Sequence, residues 1–398
     1  MKIGRKKAEN ESPEGPAQAP NVPARTPKKA KKGLKLSKKA WIIITASVVV
    51  IAGSVTTFLV LASKNKEVEE PQASVVEDTP EPEPEPEPIV YYDNLAGRVI
   101  ESEAGASAAV TGIMIENSPD ARPQSGLKDS GVVFEAQAEG GITRFLVLYQ
   151  SEKPQLIGPV RSVRLYYVEW ATPFRASIAH VGGSDDALAL VRNGSYRDID
   201  QFFNSGSYWR ATDRYAPHNV YTNFDNLDAL NAKKGYLESS FVGFSRKDDE
   251  LAEPKEEPED GVETEVAIPT LVTQITVKIS SAPYNSSYVY DEETNSYLRS
   301  QAGKPHLDRE QGQISPKVVI GMMVDQKHKP AGGEQITTVG AGRAYIFQDG
   351  KVVDGKWRKM TRDAQIEFFD EAGEPMKLNR GQTWISAVPN GSGSVSWK

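Results

Sequence analysis

Hydrophobic and polar residues follow a regular pattern in two stretches of the chain, residues 106–245 and 268–398. In the first stretch, short apolar runs predict four strands, at Val110–Ile115, Val132–Ala138, Ile142–Tyr149 and Ile178–Val181. Capping and stop signals predict three helices: Val163–Ala171 after a Ser162 cap, one after a Ser184 cap, and one from an Asp225 cap to Gly235. The first stretch is therefore predicted to be a mixed α/β domain.

The second stretch is richer in strand signals. Ile275–Ile279 alternates between apolar and polar residues, and Gln365–Phe369 and Trp384–Val388 continue the pattern. Asp349 and Gly350 lie between two apolar runs and are the residue types that a two-residue β-hairpin turn requires. We therefore expect a β-rich second domain, and an α+β fold for the chain as a whole.

An uninterrupted apolar run occupies residues 40–63. These 24 residues carry no charge. Because a helix rises about 1.5 Å per residue, the run is long enough to cross a hydrocarbon core of about 30 Å. A cleaved signal peptide is the alternative, but its apolar part is usually only about 7–15 residues long. We expect one uncleaved transmembrane helix, which makes the membrane a partner.

The basic residues before this run predict its orientation. Residues 1–39 hold 12 Lys and Arg against three Glu, whereas the whole chain has 47 Lys and Arg against 54 Asp and Glu. The lysines are typical of a nucleic-acid-binding patch or of the cytoplasmic flank of a membrane helix, and the apolar run that follows favours the flank. We expect a disordered cytoplasmic tail, extracellular C-terminal domains and no nucleic-acid partner.

Two acidic segments separate the predicted domains. Residues 64–105 include an alternating Pro-Glu run, which favours an extended stalk. Residues 246–267 overlap a run with ten acidic residues and one lysine, which is typical of a linker or surface insertion. The predicted order is tail, transmembrane helix, stalk, α/β domain, linker and β-rich domain.

The composition excludes several kinds of chemistry. The chain has no cysteine, which excludes disulfides, a thiolate nucleophile, zinc–cysteine sites and a thioether lipid anchor. The four histidines lack metal-ligand spacing, and common nucleotide and hydrolase motifs are absent. We therefore expect no metal and no cofactor. His180 ends an apolar run and is interpreted as a core residue, whereas His218 lies in a loop and is a catalytic candidate.

Arginines beside turn residues are the main chemical feature of the first stretch. They are Arg122, Arg144, Arg161, Arg164, Arg210 and Arg214. Arg161 and Arg164 flank a predicted helix start, where guanidinium groups and free N–H groups together suit an anion. We take the six as candidate anion-binding residues, and Glu135 and Glu139 as further catalytic candidates. The alternative is that each arginine only pairs with a nearby acid, such as Glu116, Glu135, Glu139 or Asp213.

Several short motifs together resemble the YerB-like family of bacterial envelope proteins. They are Ile115–Asn117, Ala121–Leu127, Glu139–Phe145, Ile157–Ser162, His180–Ser184, Ala216–Asn219, Gly303–Asp308 and Leu378–Trp384. The resemblance implies a two-part domain of unknown function in an extracytoplasmic setting. Members are often lipoproteins anchored through a cysteine; in this chain the predicted membrane helix would take that role.

The arginine layout is also similar to that of the LytR-CpsA-Psr glycopolymer transferases, in which arginines hold a polyprenyl pyrophosphate. Arg144, Arg161 and the Arg210–Arg214 pair carry this similarity, although Ser162 stands where an acid usually follows the arginine. Three hypotheses stay open, as does the question of enzymatic activity. They are an envelope protein of undefined activity that binds an anionic cell-wall polymer or polyprenyl-phosphate ligand, a glycopolymer phosphotransferase, and an envelope scaffold.

The lysine asymmetry around residues 40–63 gives a testable topology. Protease added to cells whose wall has been opened should digest the part of the chain after Ser63 and leave residues 1–39 intact. Immunoblots with antibodies against each end measure both outcomes. Protection of the part after Ser63 would contradict the predicted orientation.

Overall fold

The computed structural model describes residues 88–250, 271–330 and 332–398. The predicted tail, the predicted transmembrane helix, residues 64–87 of the stalk and residues 251–267 of the linker lie outside the described residues. Within the described ranges, no helix combines the length and the apolar character that crossing a bilayer requires.

The first described segment, residues 88–250, contains helices and strands in alternation. The helices are α1 (Leu165–Ala171), α2 (Asp185–Val191) and α3 (Phe224–Lys234). The strands are β1 (Tyr91–Tyr92), β2 (Val99–Ile100), β3 (Thr111–Glu116), β4 (Val132–Glu139), β5 (Ile142–Tyr149), β6 (Ser177–His180), β7 (Arg197–Asp200), β8 (Trp209–Arg210), β9 (Val220–Tyr221) and β10 (Arg246–Lys247). Short 3-10 helices occur at Glu103–Ser107, Pro119–Ala121, Thr172–Phe174 and Ser205–Ser207.

The second segment, residues 271–398, consists mainly of strands. They are β11 (Gln274–Lys278), β12 (Ser286–Asp291), β13 (Ser296–Gln301), β14 (Lys304–Pro305), β15 (Leu307–Asp308), β16 (Gly312–Gln313), β17 (Val318–Val324), β18 (Gln326–His328), β19 (Glu334–Ile336), β20 (Gly340–Gln348), β21 (Lys351–Lys359), β22 (Glu367–Phe369), β23 (Leu378–Asn379), β24 (Thr383–Pro389) and β25 (Ser394–Trp397). A 3-10 helix lies at Ala282–Tyr284.

Strands of both segments form one large sheet. Among the described residues it has ten strands, in the order β22-β21-β20-β17-β24-β4-β5-β3-β6-β7. The segments meet where β24 pairs in parallel with β4, with Thr383 opposite Val132 and Ser386 opposite Glu135. A second sheet has the order β14-β13-β12-β11-β25. The division at 106–245 and 268–398 therefore does not correspond to two separate sheets.

Side chains of the large sheet alternate between two apolar cores, one on each face. On one face, Phe134 of β4 stacks on Trp170 of α1, with ring centroids 5.3 Å apart. On the other face, the core contains Val133 of β4, Leu227 of α3 and Ile275 of β11. Helices α1 and α2 thus cover one face, and α3 and the five-stranded sheet cover the other. A strand that is buried on both faces is expected to be mostly apolar, as β5 is from residue 145 to residue 149.

The structure confirms a mixed, strand-rich fold with few helices. The strands predicted in the first stretch are found as β3, β4, β5 and β6, with ends shifted by at most one residue. Asp349 and Gly350 form the predicted hairpin turn between β20 and β21, and both have positive φ, 54° and 63°. This conformation is the one that a type I′ turn requires at its two central residues.

Two of the predicted helix caps are wrong. Helix α1 begins at Leu165, and Ser162 does not cap it, because Val163 forms a parallel bridge with Gly183 before the helix starts. Helix α3 is capped by Asn223, whose side chain accepts a hydrogen bond from the N–H of Asn226. Its predicted end is confirmed, with Gly235 at a φ of 75°. Tertiary pairing thus delays the start of α1, whereas a different local residue caps α3.

The stalk was predicted to reach residue 105, but the folded part begins earlier, at β1. Oδ1 of Asp93 accepts hydrogen bonds from the N–H groups of Leu95, Ala96 and Gly97, which closes a turn between β1 and β2. Leu95 and Ala96 are consequently buried. Strands of two residues are too short for an alternating pattern, so the sequence gives no sign of them.

The linker was predicted to begin at residue 246, but residues 246 and 247 form β10, which pairs with β23. The Arg246 guanidinium donates to the carbonyl of Leu95 (2.7 Å) and to Oγ1 of Thr383 (2.8 Å). Burial lowers the pKa of Arg246 to about 9. Arg246 therefore connects the start of the fold to its last large strand.

A buried ion pair links the two segments across the sheets. Nη2 of Arg299 on β13 lies 2.7 Å from Oε2 of Glu135 on β4, and both side chains are almost inaccessible to solvent. Nε1 of Trp384 on β24 donates to the same oxygen at 3.0 Å, and the guanidinium lies 4.4 Å from the centre of the indole ring. Glu135 is thus held in the interior by structural contacts, which do not support its prediction as a catalytic candidate.

Glu135→Gln should lower the free energy of unfolding by about 3–5 kcal/mol, because it leaves the Arg299 charge buried without a partner. Urea denaturation of the full chain in detergent micelles, followed by tryptophan fluorescence, measures the loss. We expect a single transition, because both segments share one sheet.

The matched control is Glu367→Gln, which removes a carboxylate from an exposed pair with Arg358. An exposed pair contributes less than about 1 kcal/mol. Equal losses in the two variants would contradict the structural role assigned to Glu135.

Candidate functional site

The candidate site lies where β3 and β6 separate. These parallel strands pair from Thr111 to Ile113 of β3, and beyond this point residues 159–161 enter between them. The N–H of Glu116 donates to the carbonyl of Pro159 (2.9 Å), and the N–H of Arg161 donates to the carbonyl of Met114 (2.8 Å). On the other side, the N–H of Val181 donates to the carbonyl of Arg161 (3.0 Å). Arg161 is therefore held at the carboxyl ends of parallel strands, the usual place for ligand sites in such sheets.

Glu116, the last residue of β3, orients His218. Its buried Oε1 lies 2.8 Å from Nδ1 of His218 and accepts a hydrogen bond from Oγ of Ser118 at 2.9 Å. Because a carboxylate only accepts, Nδ1 is the donor in this pair. Nε2 of His218 makes no hydrogen bond to the described residues, and the ring is about one-quarter exposed. The second ring nitrogen can therefore meet a ligand, consistent with the prediction of His218 as a functional residue.

Glu139 lies between two of the predicted arginines. Its Oε1 accepts from Arg144 Nη2 at 2.9 Å, and its Oε2 accepts from Arg164 Nη2 at 2.6 Å. Burial alone would raise the pKa of Glu139, but the two guanidinium groups outweigh it and hold the pKa below its ordinary value. Arg144 also donates a hydrogen bond to the carbonyl of Ser162, and Arg164 donates one to the carbonyl of Val163. The alternative of pairing with a nearby acid is therefore confirmed for these two arginines, and the expected anion cradle at the helix start is not formed by Arg164.

Arg161 also forms an ion pair with an acid, but it is a longer one without a hydrogen bond. Its Nε lies 3.7 Å from Oε1 of Glu116, and its guanidinium makes no hydrogen bond to any residue in the described ranges. The side chain is 28% exposed. A guanidinium has five N–H donors, so Arg161 keeps donors that an external anion can accept from. Of the six predicted arginines, it fits the predicted role best.

The other three predicted arginines hold loops around this site. Arg122 donates to the Asn117 side chain at 3.1 Å and to its carbonyl at 2.7 Å. Arg210 donates to Oδ1 of Asn219 at 2.7 Å, and Arg214 donates to the carbonyls of Asp120 and Pro123. The structure thus brings Arg144, Arg161 and Arg164 to one end of the sheet and places the other three in the adjoining loops.

Four exposed aromatic residues lie on chain segments that adjoin Arg161 or His218. They are Phe202, Phe203, Trp209 and Tyr215. Phe202 lies against Gly182, one residue from the Val181 that bonds to Arg161. Trp209 lies on β8, which pairs with β9, and the N–H of Val160 donates to Val220 of β9 at 2.7 Å. We call Arg161, His218 and these four aromatic residues the carboxyl-end surface.

Sequence reasoning missed the four aromatic residues. Their signal is the occurrence of large apolar side chains in polar, glycine- and serine-containing stretches such as residues 201–209. Such residues are too isolated for a periodic pattern, so they belong to no predicted element. Whether they are buried depends on the fold, and large exposed apolar groups that lie together often mark interaction sites.

Two of the other three histidines, His180 and His306, have structural positions. His180 is buried, with Nε2 2.9 Å from Oδ1 of Asp198 and Nδ1 2.8 Å from the carbonyl of Gly182. Its interpretation as a core residue is confirmed. His306 is also buried, and Nε2 lies 3.0 Å from Oε1 of Gln124. Burial, together with nearby arginines, lowers the pKa of His306 well below its ordinary value, so this ring is neutral.

The lowered pKa of Glu139 predicts a pH-dependent stabilisation. A carboxylate with a lowered pKa in the folded state stabilises fully above its ordinary pKa of 4.5 and loses this effect as the pH falls through the lowered value. Glu139→Gln should therefore be about 1 kcal/mol less stable than wild type at neutral pH, a modest loss because Glu139 is partly exposed. The difference should shrink below pH 4.5.

Thermal and urea unfolding across a pH series test this expectation. Glu371→Gln is the matched control, because Glu371 is an exposed acid that forms no ion pair with the described residues. A loss for Glu139→Gln that stays constant from neutral to acidic pH would contradict the charge-based explanation.

Comparisons with known proteins match two parts of the chain to one family. Residues 95–237 match the family described as "Protein of unknown function (DUF3048) N-terminal domain", and residues 275–385 match the corresponding C-terminal domain. The chain is 30% identical over 284 residues to "Putative lipoprotein YerB" of Bacillus subtilis, covering 70% of this chain and 80% of the relative. A crystal structure of YerB from Bacillus subtilis superposes with a TM-score of 0.65 at 26% identity, covering 77% of this chain and 99% of that one. The chain therefore belongs to the YerB-like family of DUF3048 proteins, as its motifs indicated.

Proposed function

We propose that this protein is a membrane-anchored, extracytoplasmic envelope protein that binds an anionic sugar-phosphate ligand at the carboxyl-end surface. The observation that carries the proposal is the combination, at one sheet end, of the incompletely bonded Arg161 guanidinium with exposed aromatic side chains. Both a cell-wall polymer and a polyprenyl-phosphate glycolipid carry sugar and phosphate groups of this kind.

The cellular setting follows from two observations. The Bacillus subtilis relative is named as a lipoprotein, which is a membrane-attached class of protein. In this chain the 398 residues contain no cysteine, and residues 40–63 form an apolar run flanked by lysines. We propose that this run anchors the chain with the tail inside the cell and the folded part outside.

The surface provides two kinds of contact. Guanidinium groups bind phosphate oxygens through charge-assisted hydrogen bonds, and Nε2 of His218 adds a second polar contact beside Arg161. Flat aromatic faces provide large contact areas at a low cost in conformational entropy, which suits stacking against sugar rings. The Glu116 carboxylate is buried below this surface, where it orients His218 and does not face the solvent.

Isothermal titration calorimetry of the full chain in detergent micelles tests the proposal. One probe is a glycosylated poly(glycerol phosphate), and the other is a short-chain polyprenyl diphosphate sugar; the stronger binder identifies the source. Arg161→Gln should weaken binding about 10–100-fold, because a charge-assisted hydrogen bond contributes roughly 1.5–3 kcal/mol. Tyr215→Ala should weaken it about 2–10-fold, as expected for the loss of an aromatic contact.

The matched controls are Arg358→Gln and Val242→Ala, which change an exposed arginine and an exposed apolar residue outside this surface. Both should bind like wild type, and uncharged dextran should not bind. Tyr215 makes no hydrogen bond through its side chain to the described residues, so its variant keeps the test valid if Arg161→Gln folds poorly. Failure of both probes to bind, or equal binding by all four variants, would refute the proposal.

A further inference from the structure

A cavity lies at the opposite end of the same parallel strands. Its volume is about 490 Å³, and its lining includes Thr172, Arg175, Tyr196, Arg197, Ser240 and Asp363. Arg175 lies shortly before β6 and Arg197 is the first residue of β7, so the cavity opens at the amino ends of these strands. The carboxyl-end surface lies at the other ends. None of the predicted site residues lines this cavity.

Two arginines face this cavity without an acidic partner. Nη1 of Arg197 is held by the carbonyls of Arg175 (3.0 Å) and Glu238 (2.7 Å). Its Nε and Nη2 make no hydrogen bond within the described ranges, and neither arginine forms an ion pair there. The Arg175 side chain makes no hydrogen bond to the described residues either. Burial and the neighbouring Arg175 charge both lower the pKa of Arg197, as expected for uncompensated like charges.

The remaining lining adds one acid and an apolar floor. Asp363 is the acidic lining residue, and Ile178 and Ala176 form buried apolar surface. Two guanidinium groups and one carboxylate leave a net charge of +1 in the cavity. A carboxylate ligand matches the guanidinium fork, and a ligand amino group matches Asp363. A phosphate dianion would match the arginines but would be repelled by Asp363.

We infer that this cavity binds a short peptide with free termini, its carboxylate on Arg175 and Arg197 and its amino group near Asp363. The cavity volume of about 490 Å³ lies in the range of about 300–1,000 Å³ that is usual for small-molecule sites. Thr172 and Ser240 provide hydroxyl groups for the peptide backbone, and Tyr196 and Ile178 contact its side chains. The inference does not depend on the carboxyl-end surface.

Calorimetric titration of the full chain in detergent micelles with trialanine tests this inference. Arg175→Gln should weaken trialanine binding about 10–100-fold, as expected for the loss of a charge-assisted hydrogen bond. Trialanine amide, which lacks the carboxylate, should bind wild type weakly and should lose little further affinity in Arg175→Gln. Asp363→Asn should weaken binding of trialanine but not of N-acetyl-trialanine.

Arg175→Gln is preferred to a change at Arg197, because Arg197 also holds the backbone of two segments. The matched control is Arg343→Gln, an exposed arginine paired with Asp354 on β21, which should bind trialanine like wild type. Undetectable trialanine binding, equal affinities for trialanine and its amide, or tighter binding of inorganic phosphate than of trialanine would each overturn the inference. Because the probes differ from those for the carboxyl-end surface, either proposal can fail alone.

Discussion

The ion pair between Glu135 and Arg299 constrains the arrangement of both sheets. Each charge is buried, so each is tolerated only while the other lies within hydrogen-bonding distance. Trp384 donates to the same carboxylate from the neighbouring strand, which ties β24 to one register against β4. A slip of one residue would move Glu135 to the opposite face, into the aromatic core around α1. The pair therefore selects one alignment of two segments whose apolar strands could otherwise pair in several.

A polar network extends from this pair towards the candidate site. Oε1 of Glu135 accepts from Thr143 at 3.2 Å, and Oγ1 of Thr143 accepts from Nδ2 of Asn117 at 2.7 Å. Asn117 follows Glu116 directly and also receives a hydrogen bond from Gln124 at 3.0 Å. Buried networks that are well satisfied make a core rigid and unique. The end of β3, which presents Glu116, is thus fixed from the opposite face of the sheet by residues of both segments.

The sequence predicts features that depend on neighbouring residues and misses those that depend on distant ones. Ile142–Tyr149 is recognisable as a strand because burial on both faces makes residues 145–149 continuously apolar, and the Asp349-Gly350 turn requires only local backbone geometry. The role of Arg246 is not recognisable, because its partners at Leu95 and Thr383 lie more than 100 residues away. Whether the six arginines converge could not be read from the sequence, and the structure brings Arg144, Arg161 and Arg164 to one end of the sheet. Whether an arginine pairs with an acid depends on its distance from Glu139 or Glu116 in the folded chain. The spacing of residues along the sequence does not give this distance.

The pairing of β4 with β24 also has a consequence for the order in which the molecule folds. About 250 residues separate the two strands along the chain, so this contact closes a very long loop, and contacts of this kind slow folding. During synthesis or export from the amino terminus, β4 emerges long before its partner and exposes an unpaired edge next to apolar side chains. Such edges associate readily with other chains. The interval before residues 383–389 arrive is therefore the period in which a chaperone would be most useful to this protein.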